Sequence, residues 1–156
     1  MPKKKKHHSE SRSKPPAGNK GKRMSPVDIE TPGKALVKFD PFQRYLTDIS
    51  QYRLLTREEE KELGIRVQEY GDNEAAYKLV TSNLRLVVKI ALEFQRVWMQ
   101  NLLDLIQEGN IGLMQAVRKF DPYKNVKFSY YSSFWIKAYI LKFIMDNWKL
   151  VKILEV

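Results

Sequence analysis

An all-α fold, a compact bundle of about five helices preceded by a disordered basic tail, is what this sequence predicts from three observations. Apolar residues recur at three- and four-residue spacing from Phe39 onward. No segment keeps the period-two alternation of a half-buried strand. The first 38 residues carry little that a core could use, being built from Lys3-Lys4-Lys5-Lys6 and then from Ser, Pro, Gly and Lys.

Taken in order, residues 1–38 hold 11 Lys/Arg against 3 Asp/Glu. They cannot bury enough surface to offset the entropy of ordering them, which predicts disorder. Their charge suits either a polyanionic partner or simple solubilisation. Asp40-Pro41 then opens a helix with Phe42, Tyr45, Leu46 and Ile49 on one face. Thr56-Arg57-Glu58-Glu59 reads as a capping box, and Leu63, Val67 and Tyr70 carry that helix to Gly71. Glu58-Glu59-Glu60 reads as exposed charge of a structural kind at the helix start. Asp72 caps a further helix whose stripe runs continuously through Ala76, Leu79, Val80, Leu84, Val87, Val88 and Ala91. The next spans about Leu102 to Lys119 and is stopped by Asp121-Pro122. The last runs from about Phe128 to Lys152.

Several functions are disfavoured at once. The absence of cysteine removes disulfides, zinc-thiolate sites and thiol nucleophiles, and fits a cytoplasmic protein. The two histidines, His7 and His8, lie in the tail, so the helical part offers neither an imidazole base nor a metal-ligand cluster. We therefore expect no enzyme, no cofactor and no metal. Gly21-Lys22 lacks the Ser/Thr and the preceding strand of a phosphate-binding loop. No apolar run reaches the roughly 18–20 residues of a bilayer span, and no apolar stretch follows the basic start as in a secretory signal.

The net charge of +10 is concentrated at two places. Besides the tail, residues 118–152 hold 8 Lys/Arg against 2 Asp/Glu, whereas residues 39–117 hold 9 against 12. That closing segment is also aromatic: ten of the 18 rings lie between Phe120 and Trp148. Advancing roughly 100° per residue from Lys137 puts Ile136, Ile140, Phe143, Ile144 and Val151 on one arc, an ordinary core face. The opposite arc interleaves Lys137, Lys142, Lys149 and Lys152 with Tyr130, Tyr131 and Phe134. Lysines neutralise phosphates whatever the base sequence, and ring faces stack on unpaired bases. Phe128, Phe143 and Trp148 read as core; Tyr131, Phe134 and Trp135 read as outward and available to bases. The pattern points to a nucleic-acid binder and names no process.

A family resemblance does. Leu103-Asp104-Leu105-Ile106-Gln107-Glu108-Gly109-Asn110-Ile111-Gly112-Leu113-Met114 resembles, almost verbatim, the polymerase-binding segment of bacterial sigma-70 family factors. Asn83-Leu84-Arg85-Leu86-Val87-Val88 resembles the start of the same region. Lys127-Phe128-Ser129-Tyr130-Tyr131 and Trp135-Ile136-Lys137-Ala138 resemble its promoter-melting segment. Leu54-Leu55-Thr56-Arg57-Glu58-Glu59-Glu60 resembles the preceding region that contacts DNA downstream of the −10 element. On this resemblance, residues 39–82 form region 1.2-like helices and 83–153 a region 2-like helical domain. Regions 3 and 4, with the −35-reading helix-turn-helix, have no counterpart before the sequence stops at Leu154-Glu155-Val156. Trp135-Ile136-Lys137-Ala138 and Asn147-Trp148-Lys149-Leu150-Val151-Lys152 resemble the heat-shock (RpoH-like) subgroup. Housekeeping factors usually carry adjacent tryptophans and a Gln/Thr pair where this sequence has Phe134-Trp135, Ala138 and Leu141. The stretch from Gln95 to Asn101 lacks the family's usual glycine.

The resemblance implies partners and sites. The partners are core RNA polymerase, met through the clamp helices of its largest subunit, and the non-template strand of the promoter −10 element. Polymerase contacts fall on Leu103, Asp104, Gln107, Glu108, Asn110 and Met114; spacing alone would read Leu103 and Met114 as core and the polar residues as solvated. On the DNA side, Tyr131 takes the stacking position for a flipped adenine, and Phe134 and Trp135 that of the wedge at the upstream edge of melting. Asn83 and Leu86 line the pocket for a second flipped base. Lys127, Tyr130, Lys137, Lys142, Lys149 and Lys152 complete the DNA face. A general single-stranded nucleic-acid binder, or a regulator that occupies the polymerase clamp without initiating, are the rival readings.

Overall fold

The computed structural model describes residues 40–154, leaving out the side chains of residues 149–153. The expected tail at 1–38 and the side chains of Lys149 and Lys152 lie outside the described residues. Among the described residues six helices follow one another: α1 Pro41–Ser50, α2 Arg57–Tyr70, α3 Asn73–Thr81, α4 Leu84–Trp98, α5 Leu102–Lys119 and α6 Phe128–Leu154. Among the described residues there is no strand.

Local chemistry sets most of the boundaries. The Asp40 carboxylate accepts the Phe42 amide at 3.0 Å, with Pro41 pre-set at the first helical position of α1. At α2 the capping box closes in both directions: Thr56 Oγ1 accepts the Glu59 amide, and the Glu59 carboxylate accepts the Thr56 amide at 2.8 Å. Gly71 ends α2 in the left-handed region at φ 59°. One residue later Asp72 accepts the amides of Glu74 and Ala75 and starts α3. Asn101 caps α5 by accepting from Leu103 and Asp104.

The expected single helix from Asp72 to Ala91 is two helices, which brings the count among the described residues to six. The break lies at Ser82-Asn83, both buried. Asn83 Nδ2 donates to the Leu79 carbonyl at 2.8 Å, and Ser82 Oγ donates to the same carbonyl at 3.2 Å. Side chains that bind the carbonyl of the preceding turn give the backbone an alternative to the helical ladder. The apolar stripe keeps its spacing across the break, so periodicity alone does not reveal it.

The core gathers Leu79 from α3, Val87, Ile90 and Ala91 from α4, Leu105, Leu113 and Ala116 from α5, and Ile136, Ile140 and Ile144 from α6. The closest approach is between α5 and α6. A Cβ added at Gly112 would stand 2.6 Å from the Trp135 carbonyl oxygen of α6, while one at Gly109 would stand 2.7 Å from Val87 Cγ1 of α4 and 3.2 Å from Ile140 Cδ1 of α6. Only glycine lets the backbone of α5 reach α6 this closely. The α5–α6 connection folds inward on Phe120 and Phe128, two buried rings meeting edge to face at 5.1 Å.

Candidate nucleic-acid interface

The first turns of α6 present the aromatic face. Tyr130 and Phe134, four residues apart, stand 62% and 56% exposed with centroids 5.0 Å apart and rings perpendicular. Lys127, Lys137 and Lys142 are exposed along the same helix and the turn before it. Large rings left in water beside cations are what an unstacked strand can use.

Three sequence readings need correction here. Tyr131 is half-buried: its ring lies 5.6 Å from Phe120, and its hydroxyl donates to the Lys119 carbonyl at 3.1 Å. At the opening turn of α6 it faces back onto the inward-folded loop, so its hydroxyl finds a loop carbonyl. Trp135 is half-buried too, tilted against Tyr139 at 6.5 Å. Trp148, expected in the core, is 52% exposed and meets Trp98 edge to face at 6.5 Å. Phe128 is buried as expected, and Phe143 is half-buried.

Beside this face opens a cleft of about 410 Å³ that sequence reasoning saw only in part. Asn83 and Leu86 form one wall, and Lys127 and Ser129 another. The third wall is the start of α2: Leu55, Thr56, Arg57 and Glu60. Glu60 is not the exposed structural charge that its run suggests. It is almost buried, because α2 turns this position toward α6. Burial pushes its carboxyl above the usual range, while the Phe128 amide, Lys127 and Arg57 pull it back down. Arg57 reaches across to hydrogen-bond Asn125 in the α5–α6 connection. A single buried carboxylate in a charge-rich run has no sequence signature of its own; only the phase of α2 relative to Leu63 would have found it.

On α5 the residues expected to meet polymerase divide. Leu103, Asp104, Gln107 and Met114 are exposed, and Glu108 is half-buried. Asn110 is half-buried against α1, its amide donating to the Tyr45 hydroxyl at 3.3 Å while its Oδ1 is buried without a partner. Leu103 and Met114 are therefore surface residues, not the core that spacing alone suggests. Among the described residues no helix is long and apolar enough to cross a membrane.

Comparison with known proteins bears on the family. A model of sigma-70 region 2 matches residues 79–150, and one of sigma-70 factor region 1.2 matches residues 40–73. The chain is 49% identical over 114 residues to the RNA polymerase sigma-C factor of Myxococcus xanthus, covering 73% of this chain and 38% of that protein. It is 47% identical over 109 residues to the RNA polymerase sigma factor RpoH of Rhizobium radiobacter, covering 70% and 36%. Against RpoH of Caulobacter vibrioides (strain NA1000 / CB15N) the identity is 45% over 109 residues, covering 70% and 37%. The chain thus spans little more than a third of the length of these curated relatives. With two sigma-70 regions in family order and relatives near half identity across both, the chain belongs to the sigma-70 family of RNA polymerase sigma factors.

Proposed function

We propose that this chain docks on core RNA polymerase through α5 and captures the non-template strand of an opened −10 element on α6 and the neighbouring cleft. One observation carries the DNA part: Tyr130 and Phe134 stand in solvent beside lysines, next to a cleft large enough for a base. Strand bases stack on the exposed rings, with Tyr131 behind them and Trp135 at the upstream edge. Asn83, Leu86 and Ser129 receive a second base, while Lys127, Lys137, Lys142, Lys149 and Lys152 hold phosphates. Leu103, Asp104, Gln107, Glu108, Asn110 and Met114 make the polymerase contact, on the clamp helices of the largest subunit, in the manner of a helix laid against a helix. The protein works in the cytoplasm by binding, with no catalytic step of its own.

Base preference follows from what α6 presents upstream. Ala138 and Leu141 are exposed and offer no hydrogen-bonding group. Direct readout there is confined to apolar contact, such as with a thymine methyl group.

The test is capture of core polymerase by the chain, followed by crosslinking to a single-stranded −10 oligonucleotide. Gln107→Ala and Glu108→Ala should lose polymerase and keep oligonucleotide. A chain that crosslinks any strand and ignores polymerase would be a general single-strand binder. One that competes with sigma factors for polymerase and gives no −10 crosslink would be a clamp-occupying regulator.

A further inference from the structure

Directly after the exposed Tyr130–Phe134 pair, α6 carries a second pair of rings at the same spacing. Trp135 and Tyr139, one turn apart, stand 6.5 Å between centroids with the rings tilted by 40°. Side chains four residues apart on a helix are neighbours, and long ones lean toward its N-terminus, so Tyr139 lies over the C-terminal side of Trp135. The two pairs differ in burial. Tyr130 and Phe134 stand mostly in water, whereas Trp135 and Tyr139 are both half-buried. A half-buried ring with a second ring against it has fewer rotamers open to it than a ring in water.

The hydroxyl of Tyr139 does not account for its place. Tyr45, Tyr52, Tyr131 and Tyr139 are the half-buried tyrosines among the described residues. The first three hold their hydroxyls in hydrogen bonds, with Asn110, with Tyr77 and with the Lys119 carbonyl. Among the described residues the Tyr139 hydroxyl has no such partner. What Tyr139 gives its surroundings is therefore its ring, and the aromatic neighbour of that ring is Trp135. A wedge at the edge of a melted segment must present one face at one angle. Each torsion left free lowers the fraction of molecules ready to stack, and weakens apparent binding by that fraction. The exposed neighbours Ala138 and Leu141 have no ring with which to fix it.

We propose that Tyr139 is a positioning residue for Trp135: its ring props the tryptophan in the orientation that meets the base pair at the upstream edge, without touching DNA itself. This rests on the reading of Trp135 as the wedge there and adds a residue which that reading does not include.

Equilibrium binding of the full chain at low salt to two DNAs tests it: a single-stranded −10 oligonucleotide, and a fork in which that strand continues into duplex at its upstream edge. Tyr139→Ala should weaken fork binding by about threefold to tenfold, the worth of an aromatic pair, and leave the single strand unchanged. Tyr139→Phe keeps the ring and should bind both as the parent does. Trp135→Ala should weaken the fork as well, and adding Tyr139→Ala to it should cost nothing more, because the prop acts through the tryptophan. If Tyr139→Ala binds the fork as the parent does while Trp135→Ala is weakened, the inference falls alone. If neither is weakened, the wedge reading falls with it. A Tyr139→Phe variant as weak as Tyr139→Ala would also overturn the inference, since the hydroxyl would then be the acting group. Should Tyr139→Ala weaken both DNAs alike, α6 has been disturbed, and Tyr139→Leu, which keeps apolar bulk without a ring, decides. Selective loss of the fork by that variant supports the inference, and any other result overturns it.

Discussion

Met99 takes up a left-handed backbone at φ 49°, a region that favours glycine. It closes α4 as its C-terminal cap, with its amide on the Gln95 carbonyl and its side chain 89% exposed, so no packing compensates the strained conformation. Met99→Gly should raise stability by about 1 kcal/mol, read as a shift of the urea midpoint at unchanged slope. Gly112 is the opposite case. Its missing Cβ is the space occupied by the Trp135 carbonyl, which is backbone and cannot swing away. Gly112→Ala should cost roughly 1–3 kcal/mol in the same measurement. It should also weaken oligonucleotide binding, since α6 would have to move. Tyr131 shows why single residues escape a helical wheel. Its angle placed it outward, but a wheel contains no neighbouring loop, and Phe120 with the Lys119 carbonyl draws it halfway in.

At the scale of the helix, legibility followed the chemistry of the ends. The starts of α1, α2, α3 and α5 and the Gly71 stop of α2 were readable because each is fixed by a side chain or a glycine within three residues. The Ser82-Asn83 break was not, since it is made by side chains turned back onto the Leu79 carbonyl while the apolar spacing runs on undisturbed. Glu60 and Trp148 were misread for a related reason: burial depends on which helix lies opposite, and that is a tertiary fact. The α2 cap can be tested on its own. Thr56→Ala should cost about 1 kcal/mol. Its partner Glu59 has a carboxyl held well below the ordinary 4.5, at about 2, first by Arg53 at 2.8 Å and then by the Thr56 amide. A depressed carboxyl contributes stability that is whole above its unfolded pKa and fades as pH falls toward the folded one. The stability difference between the parent and Glu59→Gln should therefore be largest near neutrality and shrink between pH 4.5 and about 2. Glu60 runs the other way, because burial raises its carboxyl. Acidification through that raised value relieves a desolvated charge, so Glu60→Gln should gain most at neutral pH and nothing in acid.

For the whole molecule, magnitudes limit what the proposed DNA face could do without polymerase. A base stacked on an aromatic ring returns roughly 1–3 kcal/mol. Opening about ten base-pair steps costs on the order of 14 kcal/mol, so two captured bases leave most of the work undone. The isolated chain should bind single-stranded −10 DNA weakly and leave relaxed duplex closed, with no permanganate-reactive thymines until core polymerase is added. Binding to the single strand should fall with salt. Each of Lys127→Ala, Lys137→Ala and Lys142→Ala should reduce the slope of log K against log salt by about 0.7.

The contact at Gly112 ties these scales together. Because α5 and α6 meet backbone to backbone at that point, neither can slide or tilt independently without opening a gap or a clash. The two helices form one stiff plank. In the function proposed above, one edge would be seated on polymerase and the other would hold the strand, so a shift of the enzyme's grip would reach the bases undamped, and a softer joint at this point would let it dissipate.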